Sequence, residues 1–517
     1  MHNIAPYQEA TTSLTLKEKV GQFFFPAAFI NDTEEEILKL ESLIKEYHIG
    51  GLCFFHSRAS AATNFEGKKE VMYNEDSISL LIKLIERYQK AAKHPLLISI
   101  DAEWGLAMRV ENTPQYPYAI TLGTVQNNNT LIEKIGQQIA LDCMFAGIHW
   151  NLSPVVDINN NPLNPVIGYR SFGEHKTLVT EKAKAFIEGA TSVGHLCSIK
   201  HFPGHGDTAV DSHLGLPVIN TSKEALWKNE LYPFKALIQQ GVDAVMVGHL
   251  CVPALTNSDT IPTTISKEVV THLLREELQF DGVIVSDALN MHSVSKMFPE
   301  KGVLEAKAFA AGMDALCFSE HTKEGIASII ENENKERIEA SFKRIWNLKE
   351  KAALQKAHTP KALSNPTSIN TEIAKKSITL YQGTTEDIRK FKEEGYTKIA
   401  IQSKKHNIFF ESLPQEQEDK NNVLLAIFPP KVKPQNTFDL TEEEIKTVQQ
   451  LIEEKNVVLY LFGNPYVLNL LNTAKAKAVV IVYQNFDVFQ EQSAAHFLGK
   501  IKAEGKIPVT INTNNHE

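Results

Sequence analysis

Between Lys200 and Pro217 the sequence KHFPGHGDTAVDSHLGLP gathers three histidines, two aspartates and three glycines in a stretch with almost no helix-forming run. Two kinds of chemistry suit such a set. His201 and His205 are four residues apart, as in a metal-binding helix face, but Pro203 and Gly204 lie between them and Gly206 follows, so a helical pair is not expected. A metal site built on the loop from Asp207, Asp211 and His213 is one alternative. Acid–base chemistry is the other, and the preferred one. Asp211 and His213 are separated by one residue, so on an extended loop both side chains project to the same side. The carboxylate then accepts from one imidazole nitrogen, which fixes the tautomer, raises the histidine pKa and leaves the other nitrogen to give or take a proton. Such a dyad needs a nucleophile. The best-placed carboxylate is Asp287 in VIVSDALNM (283–291), whose plainer role would be to cap the helix that follows.

These residues require a scaffold that brings distant segments together. From residue 15 to about 350, short apolar runs alternate with longer amphipathic ones, as expected of β-α units. The strands predicted are 22–26, 51–55, 96–101, 148–154, 197–202, 243–250, 283–288 and 314–319. Helices are predicted over 130–147, 176–194 and 222–241, each ending at a glycine that suits a left-handed stop. Eight such alternations point to a (β/α)8 barrel. Asp101, Asn151, Lys200 with His201, His249 and Asp287 all fall at the C-terminal end of a predicted strand, where barrel enzymes assemble their sites. Any one of them can instead be a paired structural group, but five strands with the same bias argue for a site.

Around 350–370 the chain passes from a charged helix into a stretch rich in Pro, Ser, Asn and Thr, so the expected division is a barrel over 1–355, a linker over 356–375 and a smaller doubly wound α/β domain over 376–517. Strands of that domain are predicted at 398–402, 422–428, 456–463, 478–484 and 506–512. It carries no phosphate-cradling glycine loop, so no nucleotide is expected. With 62 acidic against 53 basic residues, there is no basic face to favour a nucleic-acid partner. The start MHNIAPYQEA lacks an export leader's pattern, and no run reaches the roughly 18 apolar residues of a membrane helix. A cytoplasmic location without a membrane span is the expectation, although an exported form trimmed of its leader would read the same. The five cysteines are scattered and odd in number, as buried small hydrophobes would be.

The segments KHFPGHGDTAVDSH, NPVIGYRSFG (164–173), DAEWGLAMR (101–109) and VIVSDALNM together resemble glycoside hydrolase family 3, in its β-N-acetylglucosaminidase branch. LTLKEKVGQFFF and IGGLCFF resemble the family's first two strands, and LFGNPYVL (461–468) and GKIPVT (505–510) its second domain. The resemblance implies a retaining enzyme in which Asp287 is the nucleophile and His213, backed by Asp211, the acid/base. It further implies that Asp101, Arg109, Arg170, Lys200 and His201 hold the hydroxyls of the innermost sugar. Two departures stand out: Trp104–Gly105 where the family has Gly-Gly, and Ala288 where it often has a second Asp.

The expected reaction is exo-hydrolysis of terminal β-linked N-acetylglucosamine from peptidoglycan fragments or chitin-type oligosaccharides, by double displacement through a glycosyl-enzyme and without metal or cofactor. The glycine-rich loop is expected to move, delivering His213 for each half-reaction. A glycoside phosphorylase using the same residues is the main alternative, because a histidine acid/base repels phosphate less than a carboxylate would. A β-glucosidase, a metal-dependent barrel hydrolase and a non-catalytic sugar-binding protein are less favoured.

Overall fold

The computed structural model describes residues 4–58, 73–208, 215–355, 359–403, 406–414 and 421–512. It divides into two compact units, one made of 1–115, 133–157 and 183–364 and the other of 116–132, 158–182 and 365–517. Two segments inside the range expected for the barrel thus pack with the second unit.

In the first unit the apolar runs become short parallel strands: β1 (Phe24–Phe25), β2 (Ala27–Phe29), β3 (Gly51–Phe55), β4 (Leu97–Ile100), β5 (Trp150–Asn151), β6 (Leu196–Phe202), β7 (Ala244–Val247), β8 (Val283–Ser286) and β9 (Leu316–Cys317). Strands β2 to β8 pair in chain order. β1 and β2 are two pieces of one path broken at Pro26, β1 pairing with β9 and β2 with β3. Ser286 N donates to Ala315 O at 3.0 Å, which carries the ring from β8 to β9. The described strands therefore occupy the eight positions of a (β/α)8 barrel, as the alternation predicts.

Inside the unit, Trp150 meets Phe25 edge-on at 5.8 Å between ring centroids, and its indole N–H donates to Ser198 Oγ at 2.9 Å. Both demands of a buried tryptophan, apolar contact and a partner for its N–H, are met. The predicted helix over 222–241 is two, Lys223–Lys228 and Leu231–Ile238. Pro233 has no N–H to continue an earlier helix but is tolerated in the first turn of a new one. All five cysteines are free and buried.

The second unit holds a sheet of β10 (Thr379–Gln382), β11 (Thr397–Ile401), β12 (Asn422–Ile427), β13 (Asn456–Leu461) and β14 (Ala478–Ile481), in the order β10-β14-β13-β12-β11. Four of the strands are parallel and β10 is an antiparallel edge. Thr367–Ser377, within the stretch expected to be a linker, is helical. The strand predicted at 506–512 does not form. Its backbone is engaged elsewhere: Lys506 N donates to Thr124 O at 3.1 Å, Pro508 O accepts from Glu174 N at 3.1 Å, and Thr510 N donates to Glu174 Oε2 at 2.7 Å. Among the described residues no helix is long and apolar enough to cross a membrane.

Candidate active site

At the C-terminal ends of the first unit's strands, charged side chains interrupt apolar runs. Asp101 directly follows β4. Its Oδ1 accepts from Lys200 Nζ at 2.7 Å, and its Oδ2 accepts from Arg109 Nη2 at 2.8 Å. Lys200 projects from β6 with its side chain 2% exposed, and it also meets Glu103 Oε1 at 2.8 Å. Burial pushes the Asp101 carboxyl up, but Lys200 and Arg109 outweigh it and hold the group well below the usual carboxylate range. The Arg109 guanidinium lies over the Phe55 ring at 5.1 Å, and its Nε–H is buried without an acceptor among the described residues. The result is a small cup in which anionic acceptors and cationic donors alternate, suited to a polyhydroxylated ring whose hydroxyls both donate and accept.

Next to the cup, His201 is anchored by Asp157. The imidazole Nδ1 lies 2.7 Å from Asp157 Oδ2, and the backbone N–H groups of His201 and His205 donate to Asp157 Oδ1 at 3.1 and 2.7 Å. Burial raises the Asp157 pKa, yet His201, then His205, more than compensate and lower it below the ordinary value. The contact at Nδ1 fixes the orientation of the His201 ring against Asp157. His205 is spent differently: its Nδ1 meets Thr208 Oγ1 at 2.9 Å, and burial lowers its pKa to about 4, so it stays neutral. The peptide bonds Lys200–His201 and Phe202–Pro203 are cis.

Asp287 follows β8, its N–H donating to Val247 O at 2.9 Å and its Oδ1 accepting from Ala288 N at 2.8 Å. Burial raises its pKa. Against it work His201, the Ala288 N–H and Lys200, and the net effect is a pKa below the ordinary value. An ionised carboxylate beside the cup is what nucleophilic attack on a sugar carbon requires.

Asp101, Arg109, Lys200, His201 and Asp287 thus gather in the first unit. Arg170 belongs to the second unit, in the turn Gly168–Arg170, where its Nη1 donates to Val166 O at 3.2 Å. Asp211 and His213 lie outside the described residues, and Asp207 is exposed. Asn151 serves the backbone, accepting from Ala102 N at 3.0 Å and donating to Ala102 O at 3.1 Å. Two participants were missed in the sequence, Glu103 and Asp157. Glu103 stands two residues after Asp101, so it can share the same cation. Asp157 follows the SPVV run beyond β5 and is recognisable only once its distant partners are in place. Among the described residues no group of three or more His, Cys, Asp or Glu is arranged to hold a metal ion.

Asp157→Asn is expected to cost about 1–3 kcal/mol of stability, the usual penalty for leaving buried hydrogen-bonding groups without their partner. The amide also turns a donor toward N–H groups that need an acceptor. Urea unfolding followed by circular dichroism measures this, and a loss under about 1 kcal/mol would mean the histidine segment is held without it.

A family model described as the glycosyl hydrolase family 3 N terminal domain matches residues 15–348. β-Hexosaminidase A of Pseudoalteromonas piscicida is 32% identical over 363 residues, covering 64% of this chain and 57% of the relative. A Cellulomonas fimi β-N-acetylglucosaminidase/β-glucosidase is 28% identical over 385 residues, covering 70% of this chain and 64% of the relative. The chain therefore spans less than two thirds of these two relatives. Among solved structures, a glycoside hydrolase family 3 β-N-acetylglucosaminidase from Paenibacillus sp. str. FPU-7 is similar with a TM-score of 0.78 and 27% identity, covering 97% of this chain and all of that one.

Proposed function

Since the chain belongs to glycosyl hydrolase family 3, we propose that it is a retaining exo-β-N-acetylglucosaminidase, releasing terminal β-linked N-acetylglucosamine from peptidoglycan fragments or chitin-type oligosaccharides. The observation that carries the reading is the half-buried Asp287, its pKa held below the ordinary value, beside the cup of Asp101, Arg109 and Lys200. In the first half-reaction the Asp287 carboxylate forms a bond to the anomeric carbon as the glycosidic bond breaks, and the proposed acid His213 protonates the departing oxygen. In the second, His213 takes a proton from water, whose oxygen replaces Asp287 at the same carbon and restores the β configuration. Asp211 orients His213 and stabilises its charged form. The names of the two relatives and of the similar structure support the choice of sugar.

The proposal is tested with p-nitrophenyl N-acetyl-β-glucosaminide, in buffer with and without inorganic phosphate. Free N-acetylglucosamine of initially β configuration is expected as the first product under both conditions. Accumulation of N-acetylglucosamine 1-phosphate in phosphate would instead make the protein a phosphorylase, and initial release of the α anomer would exclude double displacement.

A further inference from the structure

The mechanism above makes no use of His249, which lies two residues past β7 and is completely buried. Both ring nitrogens are engaged. Nε2 lies 3.0 Å from the carbonyl oxygen of Ala288, which can only accept, so Nε2 carries a proton and donates it. Nδ1 lies 2.7 Å from the hydroxyl of Thr264. With Nε2–H assigned, a neutral ring needs Nδ1 to accept, and the Thr264 hydroxyl supplies that hydrogen.

Thr264 is itself held. It lies in the turn Thr263–Ile265, and neighbouring Thr263 donates from its hydroxyl to Gly248 O at 2.6 Å and from its backbone to Leu250 O at 2.8 Å. On the other side, Ala288 is the residue whose N–H donates to Asp287 Oδ1 at 2.8 Å. Leu289 N in turn donates to Cys317 O at 3.0 Å. A continuous path therefore runs from the Thr264 hydroxyl through the imidazole to the Ala288 carbonyl, and across that residue to the carboxylate.

We propose that His249, held as its Nε2–H tautomer and steadied by Thr264, is a positioning residue that fixes the Ala288 backbone and thereby aims the Asp287 carboxylate at the anomeric carbon. The proposal rests on Asp287 being the nucleophile. Losing this support displaces the reacting oxygen without touching the sugar-holding cup, so bond formation suffers and binding does not. A misplacement of about 1 Å is worth about 100-fold in rate.

The experiment measures how fast a 5-fluoro glycosyl fluoride of N-acetylglucosamine labels the protein, with the labelled peptide identified by mass spectrometry. Inhibition of the same variants by free N-acetylglucosamine is measured in parallel. The wild-type protein is expected to label on Asp287. His249→Ala is expected to label about 100-fold more slowly with the N-acetylglucosamine inhibition constant within about threefold of wild type. His249→Gln should regain at least about tenfold, because its amide nitrogen can donate to Ala288 O and its amide oxygen can accept from Thr264. Thr264→Val keeps the imidazole and its bond to Ala288 O but removes the hydroxyl that holds the other side of the ring, and is expected to slow labelling about three- to tenfold; it provides the test if the His249 variants do not fold. Labelling of His249→Ala near the wild-type rate would overturn the proposal, as would a parallel loss of inhibition, which would make His249 a binding residue. Wild-type labelling at a residue other than Asp287 would instead overturn the mechanism on which the proposal rests.

Discussion

Asp287→Ala is expected to lower turnover of p-nitrophenyl N-acetyl-β-glucosaminide by about 10⁴-fold or more, with the protein still folded and still inhibited by N-acetylglucosamine. The effect is large because, among the described residues, the neighbouring carboxylates are committed elsewhere, Glu103 to Lys200. Asp101 is committed to Lys200 and Arg109, and Asp157 to the backbone and imidazole of His201 and to the backbone of His205. Azide added to Asp287→Gly should restore part of the rate by attacking from the vacated side, giving a glycosyl azide of inverted, α configuration. The wild-type pH profile supplies a second check. The carboxyl must be ionised to attack, and its pKa is held below the ordinary 3.8, so the acid limb of kcat/KM set by this group should lie below pH 3.8. Turnover of Asp287→Ala within tenfold of wild type would remove Asp287 from the reaction.

The second large effect is expected from His213→Ala and depends on the leaving group. With an oligosaccharide as leaving group the loss should be about 10³-fold, within the range of general acid catalysis. With p-nitrophenolate, which departs with little help, loss in the first half-reaction should be about tenfold or less, and the basic limb of kcat/KM should disappear. The sign follows from the role: a general acid is active while protonated, so the wild-type rate falls as pH rises through the histidine pKa, and a variant without the group has no such fall. Equal losses on both substrates would move the proton donor elsewhere. The Asp157–His201 pair, 2.7 Å apart and beside Asp287, would then be the candidate.

The barrel was legible because parallel strands are covered on both faces and so read as short continuous apolar runs, such as GLCFF and VIVS. The cup was legible for the converse reason, since Asp101, Lys200 and Asp287 interrupt or end those runs with groups that apolar packing would not select. Asp157 and Glu103 were not, because what identifies them is pairing across the fold. Asp157 is defined by N–H groups 44 and 48 residues away, and Glu103 by a lysine on another strand. In the second unit one edge strand was not foreseen and one predicted strand does not form. TLYQ is a four-residue edge strand attached to a helix, too short to stand out, and 506–512 has strand composition but gives its hydrogen bonds to residues 124 and 174.

Those long-range bonds also bear on how the chain matures during synthesis. Residues 116–132 and 158–182 emerge from the ribosome long before 365–512, yet it is there that several of their partners lie. Thr121 receives a hydrogen bond from Gln484, Asn159 reaches Tyr466, and Glu174 takes up Pro508 and Thr510. At about 5–20 residues per second the wait is on the order of 20–60 s. Throughout it, side chains buried in the finished protein, among them Ile120, Leu122, Ile158, Val166 and Phe172, have yet to meet the later-made part of their unit. Neither unit is a single continuous stretch of chain, so no one cut yields either of them whole, and the nascent protein depends on its last third to bury apolar segments made in its first.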